Sequence, residues 1–328
     1  MPNSFSASEA GTGSQTPTPA ATSDAGSSAA RAARAAAPME GPDGQRIAFI
    51  VDSCCDVLPS YLERYPFFVV PMNIVYSNGD VFEDRVNIQP DEVFERFATE
   101  VPKTSTPTPV AVHHAFEAAR AAGATHVLCF SISSALSGTC SLMEATAFDY
   151  PDLNATVIDT LNIGLGAGIT AMYAAELAER GLDADGIAEV CRDVVPCTRI
   201  FIIPDTLEHL YKGGRISHAV YQIGQVLNMR PIITCDKNGY YAVAAKARGR
   251  KKSIKKAIEL AQASVLPGQK FRVAMANGMA QEEMDALLAD APMDFALASE
   301  IIDGGNLSPA LVVHTGPGLL GIVVQNFV

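Results

Sequence analysis

Three short stretches of this chain carry residue types that could do chemistry. "SSALSGT", residues 133–139, sets four hydroxyls in seven residues ahead of a helical pattern, with Gly138 free to take dihedrals closed to other residues. Such donors could converge on a small anion, or one of them could cap the helix and leave the others unused. "KTSTPTP", residues 103–109, is a second hydroxyl-rich loop whose prolines hold φ, and it also reads as a helix N-cap with proline turns. "HTGPGLLG", residues 314–321, places the imidazole of His314 before Gly316 and Gly318. That side chain could serve as nucleophile, metal ligand, anion binder or packing.

Other chemistries lack their motifs. There is no G-x-S-x-G, no H-E-x-x-H and no Walker A loop. "IGLGAG", residues 163–168, follows a strand and opens a helix, yet Ile169 stands where a dinucleotide fingerprint needs its last glycine; close helix packing explains the glycines better. His113 and His114 lie on an amphipathic helix, and His126, His209 and His218 have no partner visible in the sequence. Residues 246–256, "KARGRKKSIKK", concentrate basic side chains, as a solvated helix face or as a docking surface for a phosphate-bearing partner.

The elements that must position these groups begin at Arg46. "RIAFIVD", "HVLCFSI" and "ATVIDT" read as buried strands, separated by helices at "VLPSYLERY", "PDEVFERFATE" and "VAVHHAFEAARAAG". This alternation predicts a mostly parallel sheet covered on both faces, a three-layer α/β/α domain. "FFVVPMNIVYSNGDVFE" reads as two strands joined at Asn78-Gly79, and "PIITCDKNGYYAVAA" as a hairpin with a second Asn-Gly turn. The later part carries helices at about 165–180 and 184–195, "RIFIIPD", a long helical stretch around "HAVYQIGQVLN", a helix at "KKSIKKAIELAQ", the strand "FRVAMAN", a helix at "EEMDALLADA", and strands at "FALASEII" and "GLLGIVVQNF". It predicts a two-layer α/β domain with a mixed sheet. The domains are expected at residues 46–165 and 166–328, and the Ala-, Ser- and Pro-rich residues 1–45 as a disordered tail that cannot offset its ordering entropy.

Bulk properties narrow the function. With 328 residues and 48% hydrophobic composition there is material for two cores. A formal net charge of −12 disfavours nucleic-acid binding. Seven cysteines without a C-x-x-C, including adjacent Cys54 and Cys55, suggest a reducing compartment, and no membrane span or secretory signal is visible, so a cytoplasmic protein is expected.

Taken together, "VDSCCD", "KTSTPT", "SSALSGT", "VIDT", "DTLEHLYKGGRIS", "MRPI", "KARGRKK" and "HTGPGLLG", in this order, resemble the motif set of the DegV family, which includes the fatty-acid-binding subunits of the bacterial fatty acid kinase system. The resemblance spans about residues 46–328. It implies a non-enzymatic carrier without a cofactor or metal, which buries a long-chain fatty acid and presents its carboxylate to a separate ATP-dependent kinase subunit that forms the acyl phosphate. It assigns the carboxylate to Thr104, Ser105, Ser134 and His314, kinase or phosphate contact to Arg215 and Arg248, and backbone shaping to Gly138, Gly316 and Gly318. The chain departs from the family pattern at Cys54-Cys55, where Thr-Ala or similar is common, at Thr106, commonly Gln, and at Met229-Arg230-Pro231, commonly Gly-Lys-Pro. The fold also resembles the substrate subunits of dihydroxyacetone kinases, which leaves an alternative: His314 as a nucleophile toward a carbonyl compound.

Overall fold

The computed structural model describes residues 37–224 and 228–327. In chain order the elements are β1 (Met39–Glu40), β2 (Arg46–Asp52), α1 (Pro59–Arg64), β3 (Phe67–Val70), β4 (Asn73–Val75), β5 (Val81–Glu83), α2 (Pro90–Arg96), β6 (Lys103–Ser105), α3 (Pro109–Ala121), β7 (His126–Ser131), α4 (Thr139–Ala147), β8 (Ala155–Asp159), α5 (Leu165–Glu179), α6 (Ala184–Val194), β9 (Thr198–Ile203), α7 (Glu208–Lys212), α8 (His218–Gly224), β10 (Met229–Cys235), β11 (Tyr241–Arg248), α9 (Arg250–Ala263), β12 (Phe271–Gly278), α10 (Gln281–Asp294), β13 (Glu300–Asn306), α11 (Pro309–Thr315) and β14 (Leu319–Asn326).

The first sheet has the order β3-β2-β7-β8, these four strands all parallel, with the two-residue β1 added antiparallel to β2; β2 and β7 are apolar runs buried on both faces. Ile50, Val127 and Cys129 pack under α3 and α4 with Phe116 and Met143. Phe49, Val51, Leu128 and Phe130 face the opposite way, toward α5 and α6. The second sheet, β11-β10-β9-β14-β12-β13, is antiparallel except for the β12–β13 pair. Phe201, Ile203, Leu320, Ile322 and Val324 lie under α9 and α10, whereas Ile202, Leu319 and Val323 face the other way, toward the core that α5 shares.

The pivot of the architecture is α5, "LGAGITAMYAAELAE", which is apolar around its circumference and therefore must be covered on all sides. Every residue of it except Glu176 and Glu179 is buried, and one core holds residues of both sheets on either side of it. The expected three-layer and two-layer units are present, but they share this helix, so the boundary expected at 165/166 coincides with the start of a common layer. The glycines of "IGLGAG" are there for close packing: a Cβ on Gly168 would collide with the Cys55 carbonyl, and one on Gly166 with Asn162.

Several elements differ from the sequence expectation. "FFVVPMNIVYSNGDVFE" makes three strands, because Pro71 has no N–H for the ladder and the next N–H, of Met72, is bound by Ser53 Oγ (3.0 Å). β3 stays in the parallel sheet, while β4 and β5 form the Asn78-Gly79 hairpin, with Gly79 at φ 92°. The loop "KTSTPTP" contributes β6, which pairs with β4 to complete a small third sheet. The strand expected at "FALASEII" begins only at Glu300, since residues 295–299 close α10 and turn. Of the tail expected to be structureless, Met39–Glu40 pairs antiparallel with β2; residues 1–36 lie outside the described residues, as do residues 225–227 of the long helical stretch. No helix among the described residues is long and apolar enough to cross a membrane.

Candidate functional site

Residues from the loops after β2, β7 and β8 line a common cavity with α11, and aspartate side chains that accept backbone N–H groups lock these loops together. Asp52 Oδ2 accepts the Ile132 N–H (2.8 Å), which ties the first loop to the second. The Asp159 carboxylate accepts from Ser134 N–H (3.2 Å) and Leu161 N–H (2.9 Å), tying the second to the third. The start of α11 is pinned by Asp56, whose Oδ1 accepts the Ser308 N–H (3.0 Å) and an Arg85 Nη2 hydrogen (3.1 Å). At its other end Gly316 (φ 66°) and Gly318 (φ 85°) reverse the chain in a left-handed conformation that favours glycine. A Cβ on Gly316 would collide with His209, whose ring is stacked on Phe97 at 5.3 Å.

This frame aims His314, in the last turn of α11, at β6. His314 Nε2 and Thr104 Oγ1 are 2.6 Å apart. His314 Nδ1 is buried without a hydrogen-bond partner among the described residues, and the space it occupies exists because Gly213 has no Cβ. Burial, with smaller contributions from the neighbouring Arg215 charge and His209, pushes the His314 pKa down to about 3. The imidazole is therefore neutral near pH 7. The cation of the site is Arg215, half-buried; its Nη1 donates to the Gly213 carbonyl (2.6 Å), and it forms no ion pair with a carboxylate among the described residues.

Thr104, Ser137, Arg215 and His314 line a cavity, with Cys54, Met72 and Leu136 among the apolar walls. A second cavity lies between the start of α5 and the second sheet, lined by Leu165, Ile200, Ile202, Leu319 and Val323 among others. The two adjoin at Ile163, Tyr241 and Leu311, which line both, so a polar cavity lies next to an apolar trough. Two hydroxyl-bearing residues line the trough, Tyr241 and Thr315, and Thr315 Oγ1 donates back to the Leu311 carbonyl (3.0 Å).

Of the residues singled out in the sequence, Thr104 and His314 meet directly. Ser105, the next residue of β6, is exposed and bonds the Thr106 carbonyl (3.2 Å), because successive strand residues take opposite faces. Ser134 is also exposed and outside the lining. The turn that brings Leu136 and Ser137 N–H groups back to the Ser133 carbonyl puts Ser137 on the cavity instead. Arg215, expected at the partner side, lines the cavity, whereas Arg248 is exposed at the end of β11. Gly138 has an ordinary φ of −76°, so it supplies no unusual dihedral; a Cβ there would lie 3.5 Å from Thr106 Cγ2. Cys54, one of the family departures, stands in the polar cavity, and Arg230 pairs with Asp205 (2.9 Å).

Sequence reading missed Arg250. Within the basic run its Nη2 reaches Glu283 (2.7 Å) and the Gly318 carbonyl (2.6 Å), and its Nη1 the Ile203 carbonyl (3.0 Å), so it holds the glycine turn behind His314. No local signal separates it from Lys251, Lys252 and Lys255, which are exposed.

The loop that anchors α11 carries a titration signature. Burial, opposed by hydrogen bonds and reinforced by the nearby Asp56 carboxylate, raises Asp52 and Asp84 each to about 7. Both hold their protons in the native state up to that pH, while the unfolded chain releases them near 3.8. Their contribution to stability is complete below that value and is lost as pH rises toward 7. His314 acts with opposite sign: its contribution is present above about 6.5 and lost as pH falls toward 3. Asp52→Asn, which retains an acceptor for Ile132, should therefore reduce the decline in stability by up to about 1.4 kcal/mol per pH unit between pH 4 and 7. Urea titrations across that range check it; an unaltered pH profile would show that Asp52 ionises as freely in the fold as in the unfolded chain.

With this geometry in hand, comparison with known proteins is informative. A sequence model described as "Uncharacterised protein, DegV family" matches residues 46–326. A DegV domain-containing protein of Clostridium acetobutylicum is 34% identical over 283 residues, covering 85% of this chain and 99% of the relative. One from Clostridium perfringens is 33% identical over 281 residues, with 86% and 99% covered. Among solved structures, a fatty-acid-binding DegV family protein from Thermus thermophilus superposes with a TM-score of 0.79 at 29% identity, covering 86% of this chain and all (100%) of the other. DegV of Bacillus subtilis, described as a fatty acid binding protein, gives 0.76 at 25% identity, with 85% and 99% covered. The mixed α/β fold with its shared central helix, the ordered motif loops and the matched span agree: the chain belongs to the DegV family.

Proposed function

We propose that this protein binds a long-chain fatty acid and presents its carboxylate to a separate ATP-dependent kinase. The observation that carries the reading is the Arg215 guanidinium, without a carboxylate partner among the described residues, beside the His314–Thr104 pair next to an apolar trough. A buried carboxylate is costly unless hydrogen-bonded and charge-paired. Arg215 supplies the charge, and Thr104, Ser137 and neutral His314 supply hydroxyl and N–H donors. The tail contributes at most about 0.8 kcal/mol per methylene removed from water. Fatty-acid binding by the Thermus thermophilus and Bacillus subtilis relatives supports the same reading.

In this proposal Ser105 and Ser134 belong to the outer faces of the two loops rather than to the carboxylate. The chain has no Walker A loop, so the phosphoryl donor comes with the partner. There a carboxylate oxygen attacks the γ-phosphorus of ATP and ADP leaves, giving the acyl phosphate. Arg248 and the exposed lysines of α9 are the surface offered to that partner. The alternative, a carbonyl substrate held covalently by His314, has less support, because Nε2 is engaged by Thr104.

Extraction of the purified protein into organic solvent, followed by mass spectrometry, decides between the two. A free fatty acid approaching one per chain is expected from the wild type, and roughly tenfold or greater weakening in Thr104→Val or His314→Phe, each of which removes a hydrogen bond to a charged group. No extractable acid, together with a covalent mass gain that His314→Phe abolishes, would establish the alternative.

A further inference from the structure

Gly321 stands within β14 at a place where neither backbone nor packing requires a glycine. Its φ is not positive, and β14 pairs with β12 and β9 on either side without a bulge. A Cβ built there meets nothing nearer than the Ala276 carbonyl at 3.7 Å, an ordinary contact. Gly168 and Gly304 differ, since a Cβ on either would collide with a neighbour. A glycine weakens a strand, and inside a regular ladder it marks the close approach of another group.

The pleat shows where that group would lie. Leu320 and Ile322 face the outer core under α9 and α10, and Leu319 and Val323 face the inner core, so position 321 is on the inner face. There it lines the apolar trough, and so do its cross-strand partners Ile202 and Ala276. Gly321 is the low point of a row across three central strands, in the part of the trough not shared with the polar cavity.

We infer that Gly321 provides room for the acyl tail and that the side chain at this position selects the length of fatty acid bound. The inference rests on the fatty-acid reading above and adds to it the determinant of substrate length. A side chain at 321 takes tail space while leaving Thr104, Arg215 and His314 as they are.

The test uses wild type, Gly321→Ala and Gly321→Leu, each stripped of lipid, checked for folding by circular dichroism, and offered an equimolar mixture of saturated acids graded from decanoic to octadecanoic. Bound acids are extracted and weighed against one another by mass spectrometry. Gly321→Leu should shift the preferred acid shorter by roughly three to four methylenes, the space a leucyl side chain fills in a close-packed site. The longest acids should weaken by about fourfold per displaced methylene. Gly321→Ala, whose Cβ collides with nothing, should shift the profile by about one methylene and tests the idea even if the leucine variant does not fold. Folded variants with the wild-type length profile, or variants that lose short and long acids alike, overturn the inference and leave the fatty-acid reading standing. A wild type that takes up no acid of any length overturns both.

Discussion

Arg215→Met is expected to strip the purified protein of most of its fatty acid. Methionine keeps much of the apolar stem but removes the one cation among the described residues that line the cavity, which leaves a carboxylate facing a neutral imidazole and the hydroxyls of Thr104, Ser137 and Tyr241. Removing one partner of a desolvated charged pair costs about 2–5 kcal/mol, roughly 30-fold to several thousandfold in Kd. The effect should fall on dissociation, and stability of the ligand-free protein should change little, since among the described residues the Arg215 guanidinium hydrogen-bonds only to the carbonyl of Gly213, two residues away. Arg248→Ala supplies the contrast. Exposed and outside the cavity lining, it should retain fatty acid as the wild type does and, in the role proposed above, slow acyl-phosphate formation with the kinase partner, a deficit that narrows as salt screens the wild-type contact. Retained ligand in Arg215→Met would move the carboxylate to another part of the cavity; equal kinase rates in Arg248→Ala across the salt series would remove the basic run from the docking surface.

The largest stability effect is expected at Arg272, which is fully buried in β12. Its guanidinium donates to Glu176 Oε1 (2.6 Å), to Gln325 Oε1 (3.0 Å) and to the Ile169 carbonyl (2.7 Å), and it lies 5.5 Å from the ring centroids of both Tyr173 and Phe327. Glu176 in turn accepts from Tyr61 of α1 (2.7 Å). The knot fastens α5 to the second sheet and to α1 of the first domain, so it joins the two units whose shared surface holds the trough. Arg272→Met leaves Glu176 with the more exposed Arg180 (3.5 Å) in place of its buried partner and should cost about 3–5 kcal/mol, a drop of roughly 4–8 °C in Tm for a chain of this size. Adding Glu176→Gln should restore part of the loss, because no carboxylate then stands where the buried guanidinium was removed. Denaturant titration of the two variants checks both statements. A loss under 1 kcal/mol in the single variant would mean that water or a rearranged side chain replaces the arginine.

Much of the fold was legible because it is written in local periodicity. Continuous apolar runs at β2 and β7 mark a parallel sheet, and the two Asn-Gly pairs mark two hairpins, each closed by a three-residue loop whose last residue, Gly79 or Gly239, takes the positive φ that favours glycine. The all-round apolar character of α5 already states that it must be covered on every side. What covers it is a tertiary matter, and so is its membership of both domains.

The site divides in the same way. Hydroxyl-rich loops and a histidine ahead of two glycines are visible in the sequence, and the ordered motifs lead to Thr104 and His314. Which serine reaches the cavity depends on a turn that returns Ser137 rather than Ser134. Arg215 and Arg250 look alike as basic residues beside glycines, yet one lines the cavity and the other clamps a turn. A residue's own neighbours dictate the face of strand or helix it occupies. The cavity is bounded by segments as distant as Cys54 and His314, and its shape is set by how their side chains pack, which is why the tertiary structure alone decided which groups line it.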